Sequence, residues 1–307
     1  MIFLYYVVIY PISLLPLWIL YRFSDLFYFL LITIFPYRRK VIRTNIERSF
    51  PEKSVEERKK LERAFYRHFA DLLIESIKNL SITKKELLKR FQVENPEVIN
   101  ELYDRKKSVI LVSGHFNNWE WFITSQGLLI PHHSFGIGTP LSNPFWNKKL
   151  NQKRERFGLK VIHASNYKNA LSNSKEPYAV LMLADQSPVD SRKAYWTSFL
   201  NQPTAVLFGT EFMAHQYNTA VVYFVINKQK RGYYTLHFEL ITDDPNQWGW
   251  GKITEAHTLL LEKSIQANPQ FWLWSHKRWK RQVPEDIETL KQNQLHAFNN
   301  RFFSSND

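Results

Sequence analysis

The stretch Ser108-Val109-Ile110-Leu111-Val112-Ser113-Gly114-His115-Phe116-Asn117-Asn118-Trp119-Glu120 says most about how this chain folds. Its first half is a short apolar run rich in β-branched residues, the pattern of a strand buried on both faces of a parallel sheet. Gly114 breaks the run, and Asn117-Asn118 offer N-cap chemistry to a helix over residues 119–129. A strand, a tight turn and a helix in that order open a βα unit. In open α/β sheets, sites form at the carboxyl ends of strands.

Downstream, Val161-Ile162 reads as a brief strand, and residues 178–184 as a fuller one ending in Asp185-Gln186. Residues 205–217 have a helical pattern. Residues 220–227 and 233–241 read as strands around a Lys-Gln-Lys-Arg-Gly turn. A helix over 253–267 precedes an aromatic segment, 271–279. Upstream, residues 45–80 are helical in pattern. Ser54 and Glu57 have capping-box spacing, and Phe65, Phe69, Leu72, Leu73 and Ile77 share one face. Residues 91–104 read as a polar connector. Strands alternating with helices make the fold class α/β.

Residues 1–21 carry no charged side chain, and a second apolar run covers 26–37 beyond Arg22 and Asp25. A spanning helix needs about 20 apolar residues, so the first run is long enough, but Pro11 and Pro16 would kink it. A signal peptide would need a basic start and a small-residue cleavage site, and neither stands here. The expectation is an uncleaved membrane anchor over 1–40, followed by a catalytic domain over 41–307. Arg38, Arg39 and Lys40 place that domain in the cytoplasm by the positive-inside rule. The competing reading is a core hairpin of a soluble domain.

Composition narrows the chemistry. There is no cysteine among the 307 residues, which excludes disulfides, thiolate metal sites and a cysteine nucleophile. The net charge of +13 suits nucleic acid, an anionic membrane surface or an acidic protein. No nucleic-acid-binding signature accompanies it, and the apolar start favours the membrane. His132, His133, His163, His215, His237 and His257 show no metal-ligand spacing and read as structural.

His115 and Glu120 are the pair with chemical meaning. Transfer of an acyl group to an alcohol needs a base for the hydroxyl proton, and histidine titrates in the right range. A carboxylate on the other ring nitrogen would fix the tautomer, and the helix N-terminus would face a developing oxyanion. Five helical steps rotate by about 500°, so the two meet only if His115 lies in the turn. By itself His-x4-Glu occurs often by chance. Glu211 is a rival carboxylate. Arg154 and Arg156 suit phosphate oxygens or the oxyanion. Asp185 and Gln186 end a strand where an acceptor could bind, and Asn118 joins this substrate-binding set beside its capping role. His276, Arg278 and Lys280 could meet a carrier or a lipid head group.

The string Gly114-His115-Phe116-Asn117-Asn118-Trp119-Glu120 resembles the His-x4-Asp/Glu block of the lysophospholipid acyltransferase superfamily. More narrowly, it resembles the lipid A biosynthesis (late) acyltransferases. The similarity runs along the whole chain. It includes the start ending at Tyr37-Arg38-Arg39-Lys40, then Asn45, Phe50-Pro51-Glu52, Phe65-Tyr66-Arg67 with Glu75, and Arg154-x-Arg156-Phe157-Gly158. It continues through Ala184-Asp185-Gln186, Phe199, Thr204, Gly209-Thr210-Glu211 and Trp272-x-Trp274-x-His276-x-Arg278-Trp279-Lys280. One departure is Asn117, where the family has glycine; asparagine tolerates left-handed backbone angles.

The resemblance implies a glycerolphosphate-acyltransferase-like mixed sheet flanked by helices, with an N-terminal membrane-anchoring helical segment. It implies His115 as general base and Glu120 as its orienting partner. It also implies an acyl carrier protein thioester donor, with coenzyme A as the alternative, and a hydroxyl of a lipid A precursor as acceptor at the cell inner membrane. Neither metal nor organic cofactor is expected, only the thioester co-substrate, and no nucleic acid. A lysophospholipid, an aminolipid or another lipid alcohol remains open as acceptor. A non-catalytic lipid-binding protein is the alternative of another class.

Overall fold

The computed structural model describes residues 2–303. A π-helical turn, Leu4–Ile9, leads into α1 (Tyr10–Leu14) and α2 (Leu17–Thr33). Then come α3 (Arg39–Ser49), α4 (Val55–Lys78), α5 (Lys84–Arg90), β1 (Phe91–Val93), α6 (Glu97–Asp104) and β2 (Val109–Ser113). They are followed by α7 (Trp119–Leu129), β3 (His133–Gly138), α8 (Pro144–Arg154), β4 (Lys160–His163), α9 (Tyr167–Ser172) and β5 (Tyr178–Leu183). The rest comprises β6 (Tyr195–Phe199), β7 (Gln202–Val206), α10 (Gly209–Tyr217), β8 (Ala220–Lys230), β9 (Tyr233–Thr242), α11 (Lys252–Ala267) and α12 (Ile287–Phe302).

Seven strands form one sheet in the order β1-β9-β8-β2-β5-β3-β4. Every neighbouring pair is parallel except the β8–β9 hairpin. Strand β2 is buried along its whole length, as its run of Val and Ile requires. It lies between β8 and β5, at the centre of the sheet. A separate hairpin, β6–β7, stands outside the sheet.

Helix α4 starts where the sequence predicts. Ser54 accepts from the Glu57 amide while the Glu57 side chain takes the Ser54 N–H, a complete capping box. The polar connector expected over 91–104 is instead β1 and α6. Phe91, Ile99 and Leu102 are buried, and Pro96 opens the helix. The helix expected over 205–217 starts only at Gly209, because Ala205 and Val206 pair with Trp196 and Tyr195 in the hairpin.

No single helix among the described residues is long and apolar enough to cross a membrane. The segments Leu4–Leu14 and Leu17–Thr33 would qualify only together, and they are bent by 118°. The bend falls at Leu15-Pro16: proline excludes helical backbone from the residue before it, and Leu15 is extended (ψ 147°). One side of α2 packs inward, with Leu17 and Leu20 joining the main core. Ser24 donates to Asp71 of α4 at 2.7 Å, and Arg231 bridges Asp25 and Asp71. The opposite side exposes Trp18, Phe23, Leu26, Phe27 and Phe29.

Candidate active site

Strands β2 and β5 are parallel neighbours, with Ser113 opposite Leu183. Two residues further along each chain stand His115 and Asp185, side by side above the carboxyl ends. Nδ1 of His115 lies 2.6 Å from Oδ1 of Asp185. Oδ2 of Asp185 accepts from the His115 backbone N–H and from Nε1 of Trp272, both at 2.8 Å. Gly114 makes this approach possible, since a Cβ there would sit 2.9 Å from Asp185 Oδ2 and 2.8 Å from Leu261. Burial by itself would raise the Asp185 carboxyl. The His115 ring beside it and its N–H donors outweigh that and hold it down at about 2.

The turn carrying His115 is clamped from the C-terminal aromatic segment. Asn117 N–H donates to Phe271 O, Leu273 N–H donates to His115 O, and Phe116 bridges Trp272. Asn117 takes the left-handed backbone (φ 55°), as expected of an asparagine replacing glycine. Its buried amide donates to Ile226 O at 2.8 Å. The backbone N–H groups of His115 and Asn117 in this turn are therefore already taken and do not serve an oxyanion.

An ionised Asp185 can only accept, so Nδ1 of His115 carries the proton and Nε2 presents its lone pair. Nε2 lies 3.2 Å from the Gln186 side-chain amide. The ring keeps 15% of its side-chain surface open while Asp185 keeps 4%. Trp119 meets the ring edge-on, with centroids 5.1 Å apart. The arrangement can take a proton at Nε2 from a hydroxyl that displaces Gln186, with the resulting positive charge facing a buried carboxylate.

The structure corrects the expected partner of His115. Glu120 does not orient the ring; Asp185 does. The Glu120 carboxylate binds Lys153 at 2.8 Å and is also paired with Arg154. The five-residue spacing turns the Glu120 side chain away from the imidazole towards α8. Burial would raise its carboxyl, but Lys153 and Arg154 hold it down at about 2. Lys153, buried beside it, was not singled out by the sequence.

Other expected site residues have structural duties. Glu211 is buried and accepts the Gly251 and Thr254 backbone N–H groups, capping α11 rather than serving His115. Burial pushes it up to about 7 against those bonds. Asn118 is buried, caps α7 through the Trp121 N–H and donates to Glu75, so it does not face a substrate. Arg156 gives its guanidinium to the carbonyls of Asn79 and Ile82 instead of a phosphate. Asp185 is bound to His115 and not free for an acceptor. Gln186 is exposed beside His115, and Arg154 is half-buried against Glu120. Nε2 of His276 accepts from Ser187 N–H at 3.1 Å. Arg278, expected at an interface, is 3% exposed and donates to Ala205 O. The described residues contain no group of side chains able to hold a metal ion.

Fold and site together define an α/β protein with a histidine–carboxylate pair at the strand ends, of the kind suited to general-base chemistry. The chain belongs to the bacterial lipid A biosynthesis acyltransferase family, whose description matches residues 1–281. It is 22% identical over 245 residues to the lipid A biosynthesis palmitoleoyltransferase of Escherichia coli (strain K12), covering 79% of each chain. It is also 22% identical over 258 residues to that organism's lipid A biosynthesis lauroyltransferase, covering 81% of each. A lipid A biosynthesis acyltransferase of Haemophilus influenzae is 21% identical over 255 residues, covering 82% of this chain and 81% of that one. The protein is thus an acyltransferase of lipid A biosynthesis.

Proposed function

We propose that the protein transfers a fatty acyl group from an acyl carrier protein thioester to a hydroxyl of an already acylated lipid A precursor, with His115 as general base. The carrying observation is the Asp185–His115 pair, with Nε2 directed at the open side of the site. The lipid hydroxyl gives its proton to Nε2 as its oxygen attacks the thioester carbonyl. Asp185 stabilises the imidazolium. The tetrahedral intermediate collapses, the carrier thiolate leaves, and the imidazolium returns the proton to sulfur. Attack is direct, without an acyl-enzyme, and no metal or organic cofactor takes part.

Glu120 fixes Lys153 and Arg154, and the remaining Arg154 donors suit a phosphate of the acceptor. The sheet is read as the glycerolphosphate-acyltransferase-like arrangement. The exposed apolar side of the bent helix pair supports attachment to the inner membrane, with the site on the cytoplasmic face where thioesters are available. The excess of basic residues would steer an acidic carrier protein, which favours it over coenzyme A.

Mass spectrometry of lipid A and of total lipids, from cells with and without the gene, tests this reading. The expected result is a lipid A lacking one acyl chain. Unchanged lipid A beside a lysophospholipid, aminolipid or other lipid missing a chain would contradict the acceptor.

A further inference from the structure

Asp185 also borders a small space shared with His257, Thr258, Arg278, Phe199 and Leu261. Its volume is about 10 Å³, the room of one water molecule. Three buried polar atoms there have no partner among the described residues: Nε of Arg278, Nε2 of His257 and Oγ1 of Thr258. Leaving such atoms dry is costly, and the space has room for a water to pair with them. Arg278 is held in place by its bond to Ala205 O at 2.8 Å. Burial lowers its guanidinium only to about 10, because Asp185 opposes the shift, so it stays charged at neutral pH.

We propose that Arg278 is a positioning residue whose buried charge tempers the hold of Asp185 on the His115 proton. This rests on reading His115 as the base. A base must be free of its proton at working pH. A carboxylate buried against an imidazole favours the protonated ring, and a second positive charge in the same low-dielectric space opposes it. The groups facing Asp185 are His115, Trp272, Arg278, Tyr223, His257 and His276. Burial lowers both His257 and His276, which leaves Arg278 as the fixed cation of the set.

The test is a histidine-ring NMR titration of the full chain in detergent, with the His115 signal identified by its loss in His115→Gln. In Arg278→Met the ring of His115 takes up its proton at a pH higher by roughly one unit. In Arg278→Lys the midpoint stays close to the parent's. Should Arg278→Met fail to give a cooperative melt, Arg278→Gln, whose amide can still reach Ala205 O, is titrated with the same expectation. A neutral variant that titrates with the parent, whatever its activity, overturns the proposal. A shifted titration in a protein whose parent form transfers no acyl group would overturn the proposed reaction and leave the charge coupling standing.

Discussion

Nδ1 of His115 and Oδ1 of Asp185 stand 2.6 Å apart although 70 residues separate them in the chain. Parallel pairing of β2 with β5 produces this, since each residue lies two positions beyond the matched Ser113 and Leu183. The carboxylate nearer in sequence, Glu120, is directed at α8 and its cations. The signature spacing therefore marks two separate clusters: an imidazole with its buried carboxylate, and a pair of cations fixed by Glu120.

Removing Glu120 should cost stability as well as activity. Lys153 is 6% exposed at its side chain and would be left as an uncompensated buried charge. Breaking a buried pair from one side costs about 3 to 5 kcal/mol. Chemical denaturation of Glu120→Ala should show a loss of that order. Stability equal to the parent's would mean that the Glu120–Lys153–Arg154 cluster does not form.

Glu211→Ala should leave two backbone N–H groups at the start of α11 without acceptors. At about 1 to 3 kcal/mol each, the loss is about 3 kcal/mol. Because Glu211 does not touch His115, the kcat of whatever folded protein remains should stay within a few-fold of the parent. A large fall in kcat with an unchanged melt would place Glu211 in the chemistry instead.

Stability should fall as pH drops from about 6.5 towards 4. Burial lowers His257 and His215 to about 4, and holds His68 well below its ordinary value. In that window the unfolded chain binds protons that the folded one refuses, so these groups contribute fully above 6.5 and the contribution drains away below it. For His257 alone this amounts to about 3 kcal/mol. Glu211, raised to about 7, and Glu75 and Glu262, also raised by burial, work in the opposite sense and lose their contributions as pH rises, but the histidines lowered by burial, His68, His132, His215, His257 and His276, outnumber them. Melting temperatures at pH 7 and pH 5 check the balance; a higher value at pH 5 would contradict it.

The exposed side of α2 should bind membrane. Trp18 is 69% exposed, and Phe27 and Phe29 lie open further along the same helix. Trp18→Glu combined with Phe29→Glu should lower co-flotation with anionic phospholipid vesicles by at least about tenfold without moving the melt. Flotation equal to the parent's would remove this surface from the membrane contact.

Much of the centre of the fold was legible because it is written in local pattern. The run Val109–Ser113 has the composition of a fully buried strand, and Ser54 with Glu57 announces α4. The β8–β9 hairpin shows in its turn, where Gly232 takes φ 73°. What escaped is written through space. Strand β1 is three residues long, too short to show a period, and α6 presents just Val98, Ile99 and Leu102 to the core. The partner of His115 depends on which strand lies beside β2, and no local spacing encodes that. Asp185 was visible as a strand-end acid, and its duty only once β5 was paired. Likewise Arg278 reads as a basic surface group in sequence, and only the fold buries it near that acid.

The most direct test of the central relationship is the kcat of Asp185→Asn, measured with acyl carrier protein thioester and an acylated lipid A precursor. Asparagine keeps the shape but not the charge that steadies the imidazolium. The expected result is a fall of about 10² to 10⁴ in the kcat of the folded protein, with the acceptor KM near the parent's. A kcat within a few-fold of the parent's would contradict the pairing of Asp185 with a catalytic His115.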